Sequence, residues 1–138
     1  MGRIIAVANQ KGGVGKTTTA VNTAAALASM QRKVLLIDLD PQGNATTGSG
    51  LDKRALERST LDALMGERPL ADCVQRSEQA GYDVLPANSD LTAAEVRLIE
   101  APLREKRLQL ALDPVAEDYE YVLIDCPPSL NMLTVNAL

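Results

Sequence analysis

Residues 9–18 read NQKGGVGKTT, set between the apolar run Ile4–Ala8 and an alanine-rich stretch of helical period. A glycine-rich turn from a strand into a helix builds an anion site from backbone alone. Gly12, Gly13 and Gly15 let the chain turn tightly and bring consecutive N–H groups together. The helix that follows points its partially positive N-terminus at the same place. Lys16 adds a full charge within reach of β- and γ-phosphates, and the Thr17 hydroxyl is placed to hold Mg²⁺. The cradle so defined runs through Val14 to Thr18. It departs from the usual P-loop pattern at one position. Glycine is expected five residues before Gly15, where this chain has Gln10, and Lys11 stands in front of the glycines instead. Lys11 leaves the loop on its outer side. Its spacing alone fits a solvated surface lysine, as most lysines are, and equally a second positive charge for phosphates, including those bound by a facing subunit.

Two further segments end in carboxylates. Val34–Ile37 is a continuous apolar run, the pattern of a parallel strand buried on both faces, and it leads into Asp38 and Asp40. Pro41 and Gly43 then force a turn. Tyr121–Pro128, YVLIDCPP, is a second such strand ending in Asp125. Ligands of open α/β sheets bind at the carboxyl ends of the strands, so these acids fall on the phosphate side. Asp125 has the Walker B placement, able to complete the Mg²⁺ shell that Thr17 starts. One aspartate after a strand is often only a helix cap. Three elements in this order point to a nucleotide site.

KGGVGKTT, then DLDPQGN, then DCPPSL together resemble the ParA/Soj family of chromosome and plasmid partitioning ATPases, in the deviant-Walker-A group of P-loop proteins. The resemblance runs from Met1 to Leu138. The group also includes MinD-like regulators, nitrogenase iron protein and ArsA-like ATPases. Pro41-Gln42-Gly43-Asn44 and Pro127-Pro128-Ser129 are more similar to ParA than to the MinD branch. The resemblance implies that Lys11 is the signature lysine that contacts nucleotide across an ATP-sandwich dimer. It also implies ATP and Mg²⁺ as ligands, ATP-dependent homodimerisation and nonspecific association with DNA. A ParB-like partner would stimulate hydrolysis, and the location implied is cytoplasmic and nucleoid-associated.

Composition narrows the alternatives. Apolar residues make up 46% of 138 and are aliphatic, with no Phe or Trp and three Tyr. That suits an α/β sandwich and not an aromatic base-stacking platform. A net charge of −4 does not describe an electrostatic DNA binder. With no histidine, imidazole catalysis and His–metal sites are excluded. Cys73 and Cys126 have no CxxC spacing and read as reduced thiols. Cys126 reads as a small buried side chain, since a partner for an iron–sulfur cluster is missing. The start, a charged residue and a five-residue strand, is too short for a signal sequence or a membrane span.

Along the chain, strands are expected at Ile4–Ala8, Val34–Asp38, Tyr82–Pro86 and Tyr121–Asp125. Helices are expected at Thr17–Met30, Thr60–Met65, Leu70–Val74, Ser89–Glu100 and from Pro102 through Val115, with one beginning at Thr134. Gln42–Gly50 reads as a nucleotide-sensitive switch loop. Since Thr17 and Asp125 are to share Mg²⁺, the first and last strands should be neighbours. The fold class is therefore α/β, a mainly parallel sheet with flanking helices, of the deviant-Walker-A P-loop type.

A domain of this group resembles a chain of roughly 250 residues, so residues 1–138 read as the N-terminal part of one ATPase domain. Further strands, the adenine-recognition residues and the DNA-binding residues of the family would lie in the other half. The mechanism expected has Gly12–Lys16 gripping phosphates, Thr17 and Asp125 organising Mg²⁺, and Asp40 orienting the attacking water. Asp38 reads as an acid that either backs the ligand-holding groups or is structural. The alternatives are a MinD-like membrane-cycling regulator, which would need a basic amphipathic helix, and an inactive fragment that keeps only the first half of the fold.

Overall fold

A computed structural model describes residues 3–7, 14–127 and 136, with the side chains of all but residues 14, 15, 16 and 95. The strands are β1 (Arg3–Val7), β2 (Val34–Asp38), β3 (Gln75–Ser77), β4 (Tyr82–Leu85) and β5 (Tyr121–Asp125). The helices are α1 (Val14–Ser29), α2 (Asn44–Gly48), α3 (Thr60–Leu64), α4 (Leu70–Cys73), α5 (Thr92–Glu100) and α6 (Arg107–Leu112).

The sheet order is β1-β5-β2-β4-β3. Four strands are parallel, and only β3 runs antiparallel, along β4. β1 and β5 are neighbours, the adjacency expected if Thr17 and Asp125 are to share Mg²⁺. In β2 and β5 every residue but Tyr121 is buried, which is why those segments read as unbroken apolar runs. Side chains alternate between two cores. Val34, Leu36, Tyr82, Val84 and Leu123 pack under α1 and α2 with Ala20, Ala24 and Ala45. Leu35, Ile37, Leu85, Val122 and Ile124 pack with Leu64, Leu91, Leu98, Leu108 and Leu112 from the helices of the other face. The fully buried Ala20 and Ala24 let α1 lie close to the sheet. At one edge of the sheet, Ile4 and Ile5 of β1 remain exposed.

Several elements differ from the sequence expectation. Part of the expected switch loop, Asn44–Gly48, is helical, and Ala45 and Thr46 are buried. β3 was not foreseen, because Gln75-Arg76-Ser77 carries no apolar run. Its pairing rests on backbone and on a cross-strand Arg76–Asp83 ion pair at 3.1 Å. The single helix expected from Pro102 is broken. Leu103 takes a left-handed φ of 53°, α6 spans Arg107–Leu112, and 3₁₀ turns flank it at Arg104–Lys106 and Asp113–Asp118. Pro114 at the start of the second of these turns removes a donor that a continuing helix needs. Asn88 caps the turn before α5 by accepting from Asp90 N at 3.0 Å. Ser59 stands at the N-cap of α3, and its own N–H donates to Asp62 at 2.8 Å. The helix expected from Thr134 lies outside the described residues, apart from Asn136.

A buried polar cluster ties β3 and β4 to α2. Ser49 Oγ lies 2.7 Å from Tyr82 Oη and donates to Ala45 O at 2.8 Å, so the tyrosine hydroxyl donates to the serine. Ser77 Oγ donates to Ser49 O at 2.7 Å. Tyr82→Phe removes one hydrogen bond from a fully buried position and should lower stability by about 1 kcal/mol. A lower urea midpoint at unchanged m-value checks this.

Candidate functional site

The carboxyl end of β5 meets the first turn of α1, with the end of β2 paired beside it. Thr17 Oγ1 donates to Asp125 Oδ2 at 3.1 Å, joining the helix after the glycine-rich turn to the end of β5. Asp125 is fully buried, and the register places it opposite both Val7 and Asp38. The backbone is pinned on both sides, since Leu39 N donates to Asp125 O at 2.9 Å and Cys126 N donates to Val7 O at 3.0 Å.

Asp38, also fully buried, faces into the fold. Its Oδ1 accepts from Asp40 N at 3.0 Å, and its Oδ2 accepts from Thr46 N at 2.9 Å and Thr46 Oγ1 at 2.7 Å. The same threonine oxygen accepts from Ala87 N at 2.9 Å. Thr60 Oγ1 sits among three carbonyl oxygens, those of Asp38 at 2.9 Å, Pro86 at 3.1 Å and Leu85 at 3.3 Å. These contacts tie the loops after β2 and β4 into one body. Burial pushes the Asp38 carboxyl up to about 7, against the pull of its Thr46 and Asp40 donors and with a further push from the charge of Asp125.

Asp40 stands two residues farther along, on a turn. Its Oδ1 accepts from Gln42 N at 3.0 Å, and Gly43 N closes the turn on Asp40 O at 2.9 Å. Gly43 has a left-handed φ of 67°, and a Cβ there would meet Ala87 O at 2.7 Å. Only glycine fits. Beside Thr17, a groove of about 430 Å³ is lined by Thr18, Val21, Asn22, Asn44, Thr47 and Gly48, and most of its wall is apolar.

Of the residues singled out in the sequence, Thr17, Asp38, Asp40 and Asp125 are brought to one end of the sheet, and Thr18 is exposed at the adjoining groove. Val14, Gly15 and Lys16 form the start of α1, and nothing is described of their side chains. Lys11, Gly12, Gly13, Pro128 and Ser129 lie outside the described residues. Thr46 and Thr60 were missed. A threonine in a polar glycine-rich stretch carries no sequence signal of burial, and only the depth of Asp38 reveals its need for donors. Cys73 and Cys126 are buried free thiols, and burial pushes the Cys73 thiol up to about 11. Among the described residues no three His, Cys, Asp or Glu side chains converge to hold a metal ion. Among the described residues no helix is long and apolar enough to cross a membrane.

The sequence matches the family described as an AAA domain over residues 2–138. It is 51% identical over 138 residues to the chromosome partitioning protein ParA of Myxococcus xanthus, covering 100% of this chain and 49% of that protein. It is 49% identical over 138 residues to the sporulation initiation inhibitor protein Soj of Bacillus subtilis, covering 100% of this chain and 54% of that one. The chain thus spans about half the length of the curated relatives it matches. Among solved structures it is similar to cobyrinic acid a,c-diamide synthase from Mycobacterium smegmatis with bound ADP and magnesium. The TM-score there is 0.96 at 46% identity, over 100% of this chain and 56% of that one. The same Mycobacterium protein is also known with a bound ATP analog and magnesium. The fold is that of the P-loop NTPases, as the sequence led one to expect.

The raised Asp38 pKa gives a signed expectation. The folded chain holds the Asp38 proton more tightly than the unfolded chain, whose value is about 3.9. This contribution to stability is therefore full below about pH 4, declines as pH rises through about 7, and is gone above it. Asp38→Asn cannot ionise. Between pH 5.5 and 8.5, wild type should lose stability relative to Asp38→Asn in paired urea melts. Parallel pH slopes for the two proteins would contradict the assignment.

Proposed function

The chain belongs to the AAA-domain family, and we propose, from its similarity to the ParA and Soj proteins, that it binds ATP with Mg²⁺ and hydrolyses it in the service of DNA segregation. The observation that carries this reading is the Thr17–Asp125 contact at 3.1 Å. It sets a hydroxyl and a buried carboxylate side by side where the glycine-rich turn meets β5. Mg²⁺ takes oxygen ligands, and in phosphate sites it uses one or two protein oxygens with phosphates and waters for the rest. Thr17 Oγ1 and Asp125 Oδ2 fit that donor set. When bound, the ion would neutralise charge on the β- and γ-phosphates.

The chain's own residues then divide the work. The backbone of Gly12–Lys16 and the Lys16 ammonium grip phosphate, with Lys11, Val14, Thr17 and Thr18 completing the cradle. Asp40, on its tight turn beyond the strand end, orients the attacking water. Asp38 holds that turn from within. Phosphoryl transfer asks for positioning and charge more than covalent chemistry, and a rigid sheet end supplies both. Lys11 reaches nucleotide in a facing subunit, so ATP favours a homodimer, which in the full-length protein associates with DNA nonspecifically and answers to a ParB-like partner at the nucleoid. The names of the Myxococcus and Bacillus relatives and the Pro41–Asn44 and Pro127–Ser129 segments support segregation over the amide synthesis named for the Mycobacterium structure.

A calorimetric titration tests the binding step. ATP should bind in a Mg²⁺-dependent way, and Lys16→Ala should weaken it by an order of magnitude or more, roughly the worth of a charge-assisted phosphate contact. Asp40→Ala should keep binding and lose phosphate release, while Lys11→Ala should keep binding to the monomer and lose ATP-dependent association in sedimentation. Binding that survives Lys16→Ala unchanged, or equal loss of binding in the Asp40 and Lys11 variants, would overturn these roles.

A further inference from the structure

The turn that carries Asp40 is held from two sides. On its inner side lies Ala87, whose carbonyl oxygen would be 2.7 Å from a Cβ at Gly43, and whose own N–H is fixed on Thr46. On its outer side lies Lys53. The Lys53 Nζ donates to Gln42 O at 2.6 Å, and its Cδ would be 2.9 Å from the same Gly43 Cβ. The lysine therefore covers the turn with its stem and bonds it with its head.

Lys53 is itself well anchored. It opens the 3₁₀ turn Lys53–Ala55, capped by Asp52, whose carboxylate accepts from Arg54 N at 3.0 Å and whose carbonyl accepts from Ala55 N at 3.0 Å. Just before it, Leu51 N donates to Thr46 O at 3.2 Å, so this segment is tied to the same threonine that satisfies Asp38. An ammonium bonded to a carbonyl on a solvent-facing turn contributes little to global stability. What it does contribute is order at one place, the backbone between Asp40 and Gly43.

We infer that Lys53 is a positioning residue that clamps the Gln42–Gly43 backbone against Ala87 and so fixes the direction of the Asp40 carboxylate. The inference rests on the reading of Asp40 as the water-orienting acid. Lys53 touches neither nucleotide nor water in this account and acts only through the turn. A misplacement on the order of 1 Å is enough to slow a positioned reaction by about a hundredfold, so loosening the turn should lower turnover without loosening nucleotide.

Three variants separate the head from the stem. Lys53→Met keeps the apolar stem and removes the ammonium, Lys53→Arg restores a donor, and Lys53→Ala removes both. Amide hydrogen exchange of the full chain, read by NMR, is the deciding measurement. The Gly43 amide, bonded to Asp40 O, should exchange about tenfold faster in Lys53→Met and faster still in Lys53→Ala, and Lys53→Arg should restore most of the protection. The Gly66 amide, in a turn remote in sequence that bonds Ala63 O at 3.2 Å, should not change. Phosphate release should fall about tenfold in Lys53→Met with the ATP KM within roughly twofold of wild type. Unchanged Gly43 protection in Lys53→Met, or equal acceleration at Gly66, overturns the clamp. Full turnover in Asp40→Ala alongside the expected exchange pattern instead overturns the reading of Asp40 and leaves the clamp standing as a property of the turn.

Discussion

A carboxylate at the closed end of a parallel strand must find donors, and in this chain that requirement organises everything around it. Asp38 has no access to solvent. Leaving its oxygens unsatisfied would cost several kcal/mol, so the chain brings donors to it. Asp40 turns its N–H back, and α2 begins where Thr46 can offer both its N–H and its hydroxyl. The loop after β4 follows because Ala87 N needs the Thr46 oxygen. The short helix, the tight turn and the position of the β4 loop are one solution to one buried charge.

The neighbouring acids make other contacts. Asp125 meets Thr17 at the head of α1, and Asp40 is set on a turn with room only for glycine at position 43. In the function proposed, Asp38 serves structure, and Asp125 and Asp40 serve the ligand. This division follows from the sheet order, in which β5 and β2 are adjacent with Asp38 opposite Asp125, although the two segments are far apart in sequence.

Much of this was legible before any coordinates. The apolar runs of β2 and β5 announced strands buried on both faces, the carboxylates marked their carboxyl ends, and the Mg²⁺-sharing role expected of Thr17 and Asp125 led to β1 and β5 as neighbours. What could not be read were features whose cause is distant in sequence. β3 exists because β4 has a free side, which three polar residues fill. Asn44–Gly48 looked like a loop because its polar residues and glycines mask a helix whose purpose is to present Thr46 to Asp38. Thr60 is buried against the carbonyl oxygens of Asp38, Leu85 and Pro86, and no local pattern could show that. Leu103 breaks the helix expected from Pro102 by taking a left-handed conformation that its side chain does not favour.

The central claim is that the end of the sheet where Thr17 meets Asp125 receives a divalent ion with nucleotide. Paramagnetic line broadening by Mn²⁺ added with ATP reads that location directly. Broadening centred on the amides of Thr17, Leu39, Asp125 and Cys126, and sparing Lys33 and Glu120 at the opposite ends of the strands, is the result the account predicts. Broadening centred on Lys33 and Glu120, or spread evenly over the acidic surface, would contradict it.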